Sequence, residues 1–276
     1  MFAHQPSHFS TSNPDIPSSP GAHPISNALR PWRIVYAMTC EVETDTNASL
    51  SIEEPPRTLY KYLPPERIDI LQKMELRFSS PFEFNDIFDS HYLSPRRQGR
   101  EGKAARRRLR KQLGVLCLTE RPNDHLMWVH YARNHTGFVL GFPAHAPFFT
   151  KDNRCLRKVV YQEKPQVLSE ADVDICFHKS DEWKYEREWR CVRSFQHSES
   201  RFVPIDVGLI TQIIFGSRME TWQIARIMRY TRADARISPQ FLLSSPLSTS
   251  WAFQNLQKRM SLCRHCEGNG YLMKEA

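Results

Sequence analysis

The sequence predicts an α+β fold: a single mixed domain with a polar N-terminal segment and a short cysteine-bearing tail. Three observations carry that expectation. Short apolar or alternating runs recur as strands between Thr58 and Phe215. Helical periodicities fall between some of them at irregular intervals, without the regular alternation of a doubly wound sheet. No internal repeat and no glycine-rich phosphate loop interrupts the pattern.

Residues 1–55 are rich in Ser, Pro, Asn, Thr and His and read as disordered, apart from the apolar island Trp32 to Met38. The main domain spans 56–243. Thr58 to Tyr62 is a strand, and Pro64-Pro65 opens a helix carrying Ile68, Leu71 and Met74. Leu76 to Phe78 alternates as a strand. Phe82 to Asp89 is a loop of aromatics with Asn85, Asp86 and Asp89 among them, the kind of ordered loop that carries function. Gly99 to Leu113 reads as a basic helix. Val115 to Leu118 is a continuous apolar strand, Asp124 caps a helix whose apolar side is Leu126, Val129, Tyr131 and Ala132, and Phe138 to Phe142 is the next strand. Lys158 to Gln162 is a strand, Val167 to His178 a helix, and Lys179 to Glu182 a polar turn. Trp183 to Val192 reads as one strand, with Trp189 and Cys191 on one face and Glu186, Glu188 and Arg190 on the other. Strands at Arg201 to Asp206 and Ile210 to Phe215, then a helix from Glu220 to Tyr230, complete the domain. Residues 244–276 form the tail.

Composition narrows the function classes. The chain has 276 residues, 40% hydrophobic and 11% aromatic, enough for a sizeable core. The formal charge is +8. Nine Lys or Arg and one Glu between Arg96 and Lys111 account for all of it, so the basicity is local. No apolar run approaches the ~20 residues that span a bilayer, and the first residues lack a secretory pattern. Seven cysteines without regular spacing do not suggest a secreted disulfide framework, which points to a reducing cytoplasm.

In the tail, Cys263-Arg-His-Cys266-Glu-Gly-Asn-Gly270 places two thiols at zinc-ligand spacing. The segment resembles one copy of the cysteine and glycine repeat of J-domain chaperones, which pair two repeats per zinc. A site at Cys263 and Cys266 would therefore need His265, a distant cysteine such as Cys40, or a second chain.

The main domain resembles the uncharacterised bacterial family catalogued as domain of unknown function 2971. The likeness rests on Leu59 to Tyr62, Phe78 to Pro81, Phe84 to Asp86, Phe88-Asp89, Cys117, Met127-Trp128, His130 to Ala132, Gly137, Trp183 to Arg190 and Ile214 to Gly216, over residues 57–242. That family names no reaction. A second, looser likeness is to ADP-ribosyltransferases, in the order of a strand with tyrosine, an aromatic loop, a helix with tyrosine and a late strand with glutamate. It implies NAD as substrate, an unknown acceptor, and a role as intracellular toxin or phage-defence effector. It also implies catalytic roles for Glu188, Glu186 and Tyr131, and substrate contacts from Tyr60, Lys61, Asn85, Asp86, His130 and Arg190. Lys61 stands where such enzymes usually carry histidine or arginine, and no serine-threonine-serine motif follows.

Other readings stay open from the residues alone. Glu186 and Glu188 would equally form a surface salt-bridge face with Lys184, Arg187 and Arg190. The helix at 96–111 would serve a non-catalytic nucleic-acid or nucleotide-binding module. Asp86, Asp89, Glu186 and Glu188 would suit a metal-dependent nuclease.

Overall fold

In a computed structural model the described residues are 53–86, 89, 111–163, 173–233, 239–245 and 252–255. In chain order they form β1 (Thr58–Leu63), a 3₁₀ turn, α1 (Asp69–Lys73), β2 (Glu75–Arg77), β3 (Leu113–Thr119), α2 (His125–Tyr131) and β4 (Phe138–Pro143). There follow β5 (Arg154–Lys158), β6 (Val160–Gln162), β7 (His178–Ser180), β8 (Glu188–Ser194), β9 (Phe202–Pro204), β10 (Gln212–Phe215), α3 (Thr221–Ala233), β11 (Gln240–Ser245) and β12 (Ala252–Asn255). Among these residues an eight-stranded sheet runs β12-β11-β10-β4-β1-β3-β8-β5, and two small sheets pair β2 with β9 and β6 with β7. Within the large sheet only β10 and β11 run parallel. The fold is α+β.

Side-chain alternation divides the large sheet into two unlike faces. On the first, Leu59, Leu63, Leu116, Leu118, Phe138, Leu140, Phe142, Trp189, Cys191, Ile213 and Phe215 pack with Ile70 and Leu71 of α1 and Ile224, Ile227 and Met228 of α3. This is the main core. The second face holds two smaller apolar groups. One is Val115, Cys155, Cys176, Phe177 and Val192. The other is Tyr62, Met127, Trp128, Val139, Ile214 and Leu242. Trp128 is fully buried and meets the Tyr62 ring edge-on at 5.2 Å. Between these groups the second face is polar.

Several local expectations change. Asp124 does cap α2, accepting from the Met127 amide at 3.1 Å, but the helix buries Met127 and Trp128 while Leu126 is 44% exposed. Packing on Tyr62 draws Trp128 onto the sheet. Leu113 begins β3 rather than ending a helix, and it is buried against Val192 and Cys155. Lys158 to Gln162 is two strands: the Val159 amide still bonds the Glu188 carbonyl of β8, and from Val160 the chain pairs with β7 in a separate sheet. His178 lies in β7, and Trp183 to Glu186 is a 3₁₀ turn ended by Arg187 in the left-handed region, at φ 46° and ψ 51°. Past residue 243, β11 continues to Ser245 and β12 pairs with it. Residues 1–52, most of the basic stretch at 96–111, the first half of the helix expected at Val167 to His178 and the Cys263–Cys266 tail lie outside the described residues; the rest of that expected helix is a 3₁₀ turn at Asp174–Phe177 leading into β7. Among the described residues no helix is long and apolar enough to cross a membrane.

Gly137, at the turn between α2 and β4, is fixed by backbone on both sides. A Cβ there would stand 2.1 Å from the Leu63 carbonyl oxygen and 3.0 Å from that of Ala132. Gly137→Ala is expected to lower stability by about 3 kcal/mol, the upper end for an overpacked site. Asp124→Ala, which only uncaps α2, should lose about 1 kcal/mol. Urea unfolding of both variants measures this, and equal effects would contradict the account.

Candidate functional site

The polar part of the second face lies where the large sheet is weakest. β1 pairs with β4 at six successive positions but with β3 at only one, Tyr60 opposite Thr119. Side chains of β1 take over where backbone pairing stops. Lys61 Nζ donates to the Cys117 carbonyl at 3.2 Å, and the Tyr62 hydroxyl donates to the Arg121 carbonyl at 3.0 Å. The first of these carbonyls lies on β3 opposite the gap, and the second lies just beyond the end of β3. A cleft of about 180 Å³ opens beside this seam.

Its floor is an ion network around Arg190, whose guanidinium is fully buried on the second face of β8. Nη1 and Nη2 donate to Asp89 Oδ1 and Oδ2 at 2.9 and 2.5 Å, while Nε and Nη2 each meet an oxygen of Glu188 at 2.9 Å. Nη1 also donates to the Cys176 carbonyl at 2.7 Å. Lys179, on β7, adds a second cation, 2.5 Å from Glu186 and 3.2 Å from Glu188. The left-handed Arg187 ends the 3₁₀ turn so that Glu186, from the turn, and Glu188, from the strand, enter one network. Arg187 pays a backbone penalty of about 1 kcal/mol for that geometry. The Tyr131 hydroxyl of α2 donates to Glu186 Oε1 at 2.5 Å. Thr119 holds the turn by donating to the Glu186 carbonyl at 2.6 Å, and Tyr161 accepts from the Glu188 amide at 2.8 Å.

The electrostatics separate the carboxylates. Burial opposes the charge on Glu188, but Arg190 and Lys179 outweigh it and hold its carboxyl down at about 2. Burial, and then the charge of Glu188, push Glu186 up instead, and burial raises Asp89. Burial opposes the ammonium of Lys179 too, but Glu188 and Glu186 reverse this and raise it. Lys61 has no carboxylate partner of this kind, and burial lowers it. The Cys117 thiol is raised well above its usual value by burial and by Glu188, so it is a poor nucleophile. Glu188 is thus the fixed anion, while burial pushes both Glu186, beside Tyr131, and Asp89 upward.

Aromatic side chains form the walls: Tyr60, Tyr131, Phe84 and Trp183, with the Lys179 ammonium 4.9 Å from the Trp183 ring centre and the Arg190 guanidinium 4.9 Å from that of Phe84. Of the candidate residues, Tyr60, Lys61, Asn85, Asp86, Tyr131, Glu186, Glu188 and Arg190 all line this cleft. His130 does not; it is exposed on α2, near the rings of Tyr131 and Tyr185. The two glutamates are 3% and 4% exposed, so they do not form a surface salt-bridge face. Among the described residues no three His, Cys, Asp or Glu side chains are grouped to hold a metal ion. Lys179 and Trp183 are additions. Lys179 falls in what reads as a polar turn, and a short strand such as β7 offers too few positions for alternation to reveal a buried lysine.

Residues 127–191 match the family model described as Protein of unknown function (DUF2971). Tyr131, Lys179, Trp183, Glu186, Glu188 and Arg190 all lie within the DUF2971 segment, whereas Tyr60, Lys61, Asn85 and Asp89 reach the cleft from outside it. No curated protein and no solved structure matches the chain.

The network gives a test of pH dependence. Glu188 ionises more readily folded than unfolded, so its contribution to stability is full above pH 4.5 and is lost as pH falls toward 2. Asp89 and Glu186, both raised, act with the opposite sign. Glu188→Gln should therefore flatten the acid limb of urea midpoints over that range, and an acid limb identical to wild type would contradict the assignment. Arg190→Met, which leaves buried carboxylates without their cation, should lose about 3–5 kcal/mol at neutral pH.

Proposed function

We propose that the cleft is an active site and that its substrate is a nucleotide whose base is joined to ribose by a cleavable N-glycosidic bond, with NAD as the specific candidate. The observation that carries this reading is convergence. Tyr60, Asn85, Tyr131, Glu186 and Glu188 come from separate parts of the chain and line one cleft with aromatic walls and a charged floor.

Each residue has a role in that chemistry. Breaking the bond between nicotinamide and ribose develops positive charge on the sugar, which a fixed carboxylate stabilises. Glu188 is such a carboxylate, kept ionised by Arg190 and Lys179. Its 3.2 Å contact with Lys179 is the longest it makes to a cation, and is the one a ribose hydroxyl would displace. Glu186, with Tyr131, handles the proton of the attacking water or acceptor. Tyr60 and Trp183 offer faces to the base, and Asn85 and Asp86 offer polar contacts at the rim. A transferase or hydrolase of this kind depletes NAD in the cell that makes it, consistent with a toxin or phage-defence effector.

A second reading has its own observation: the acids of the floor are already paired with Lys179 and Arg190 inside the protein. On that reading the network only holds β8 to β7 and the Asp89 loop. The two readings part on activity. Purified wild type is expected to release nicotinamide from NAD, or to transfer ADP-ribose to an acceptor. Glu188→Gln should slow this by about 10²–10³, and Glu186→Gln and Tyr131→Phe should shift its pH profile. A wild type that neither binds nor turns over NAD, with variants altered only in stability, would favour the structural reading.

A further inference from the structure

The outward face of α3 is unlike the surface around it. Trp222 is 61% exposed and Tyr230 38% exposed, although the opposite side of the helix is buried in the main core through Ile224, Ile227 and Met228. Trp222, Arg226 and Tyr230 recur at four-residue steps, so they form one stripe, rising about 6 Å per step. Arg229, also exposed, lies beside it. The stripe is ordered in advance. The Arg226 guanidinium lies 5.9 Å from the Tyr230 ring centre, so the two side chains already lie together. α3 contains no Asp or Glu. Of the charged groups next to it, Arg218 and Lys73 are exposed cations, and Glu220, just before the helix, is an exposed acid. Because α3 covers the first face of the sheet, this surface is separate from the cleft on the second.

The chemistry favours one class of partner. Two guanidinium groups between two exposed rings leave no broad apolar face for insertion into a lipid interface. They do offer what a flexible polyanion with accessible ring faces requires: charge and paired donors for phosphates, and rings for stacked bases. A duplex hides its base faces, whereas a single strand presents them. We propose that α3 is a docking surface for single-stranded nucleic acid, with Arg226 and Arg229 on phosphates and Trp222 and Tyr230 stacked on bases.

The test uses the full chain and labelled oligo(dT) and oligo(U) of about 20 nucleotides at ~50 mM salt, with anisotropy and tryptophan quenching as readouts. Wild type should bind, and binding should weaken steeply with salt. Trp222→Ala should weaken binding at least tenfold and remove most of the quenching. Arg226→Gln with Arg229→Gln should also reduce the steepness of the salt dependence by one to two in the log–log slope. All these side chains point outward, so circular dichroism melts should match wild type. Replacing Arg106, Arg107, Arg108 and Arg110 by Gln is the comparison. If that variant loses binding while the α3 variants keep it, the proposal is overturned. It is equally overturned if wild type binds neither oligonucleotide, or if it binds vesicles of phosphatidylglycerol more tightly than either.

Discussion

The buried guanidinium of Arg190 is the constraint on which the second face of this protein depends. A charge with no exposed surface is tolerable only when its donors are matched. Here that requires Asp89, Glu188 and the Cys176 carbonyl from three parts of the chain. Once those carboxylates are drawn in, a second cation is needed, and Lys179 supplies it from a strand too short to be stable alone. Lys179 in turn draws in Glu186, and Glu186 takes the Tyr131 hydroxyl of α2. Most of the elements around the cleft are therefore positioned by one chain of charge-assisted bonds.

What makes this arrangement more than a buried salt bridge is its place beside the seam between β1 and β3. Continuous pairing there would have satisfied the backbone groups of both strands within the sheet. The strands instead meet only at Tyr60 and Thr119, and side chains of Lys61 and Tyr62 bond the carbonyls that the seam leaves open. The result is a cavity whose floor is polar and rigid and whose walls are aromatic. On that floor Arg190 and Lys179 hold Glu188 ionised, whereas burial pushes Glu186 and Asp89 upward.

Much of this was legible in the residues, for definite reasons. The unbroken apolar run of β3 announced a strand covered on both faces, and Asp124 announced the start of α2. Alternation placed Glu188 and Arg190 opposite Trp189 and Cys191, which the core confirms. The same alternation could not say whether the polar side faced water. That depended on Asp89 and Lys179, which are distant in sequence and carry no period of their own. The exposure of Leu126 was hidden for a related reason. In a helix of seven residues the buried side is chosen by what it packs on, here Tyr62, rather than by its own pattern. The break at Val159 was likewise hidden, because it depends on β6 leaving β8 to pair with the distant β7. Long-range charge pairing and tertiary hydrogen bonds decided these points.

The ion network is proposed to frame a ligand site. Calorimetric titration with a non-cleavable carbocyclic analogue of NAD tests this most directly, because it reads occupancy without turnover. Saturable one-to-one binding to wild type is expected, weakened by Tyr60→Ala and by Trp183→Ala, neither of which is a partner of Arg190. Absence of binding to a wild type that unfolds cooperatively, or binding indifferent to both wall substitutions, would contradict it.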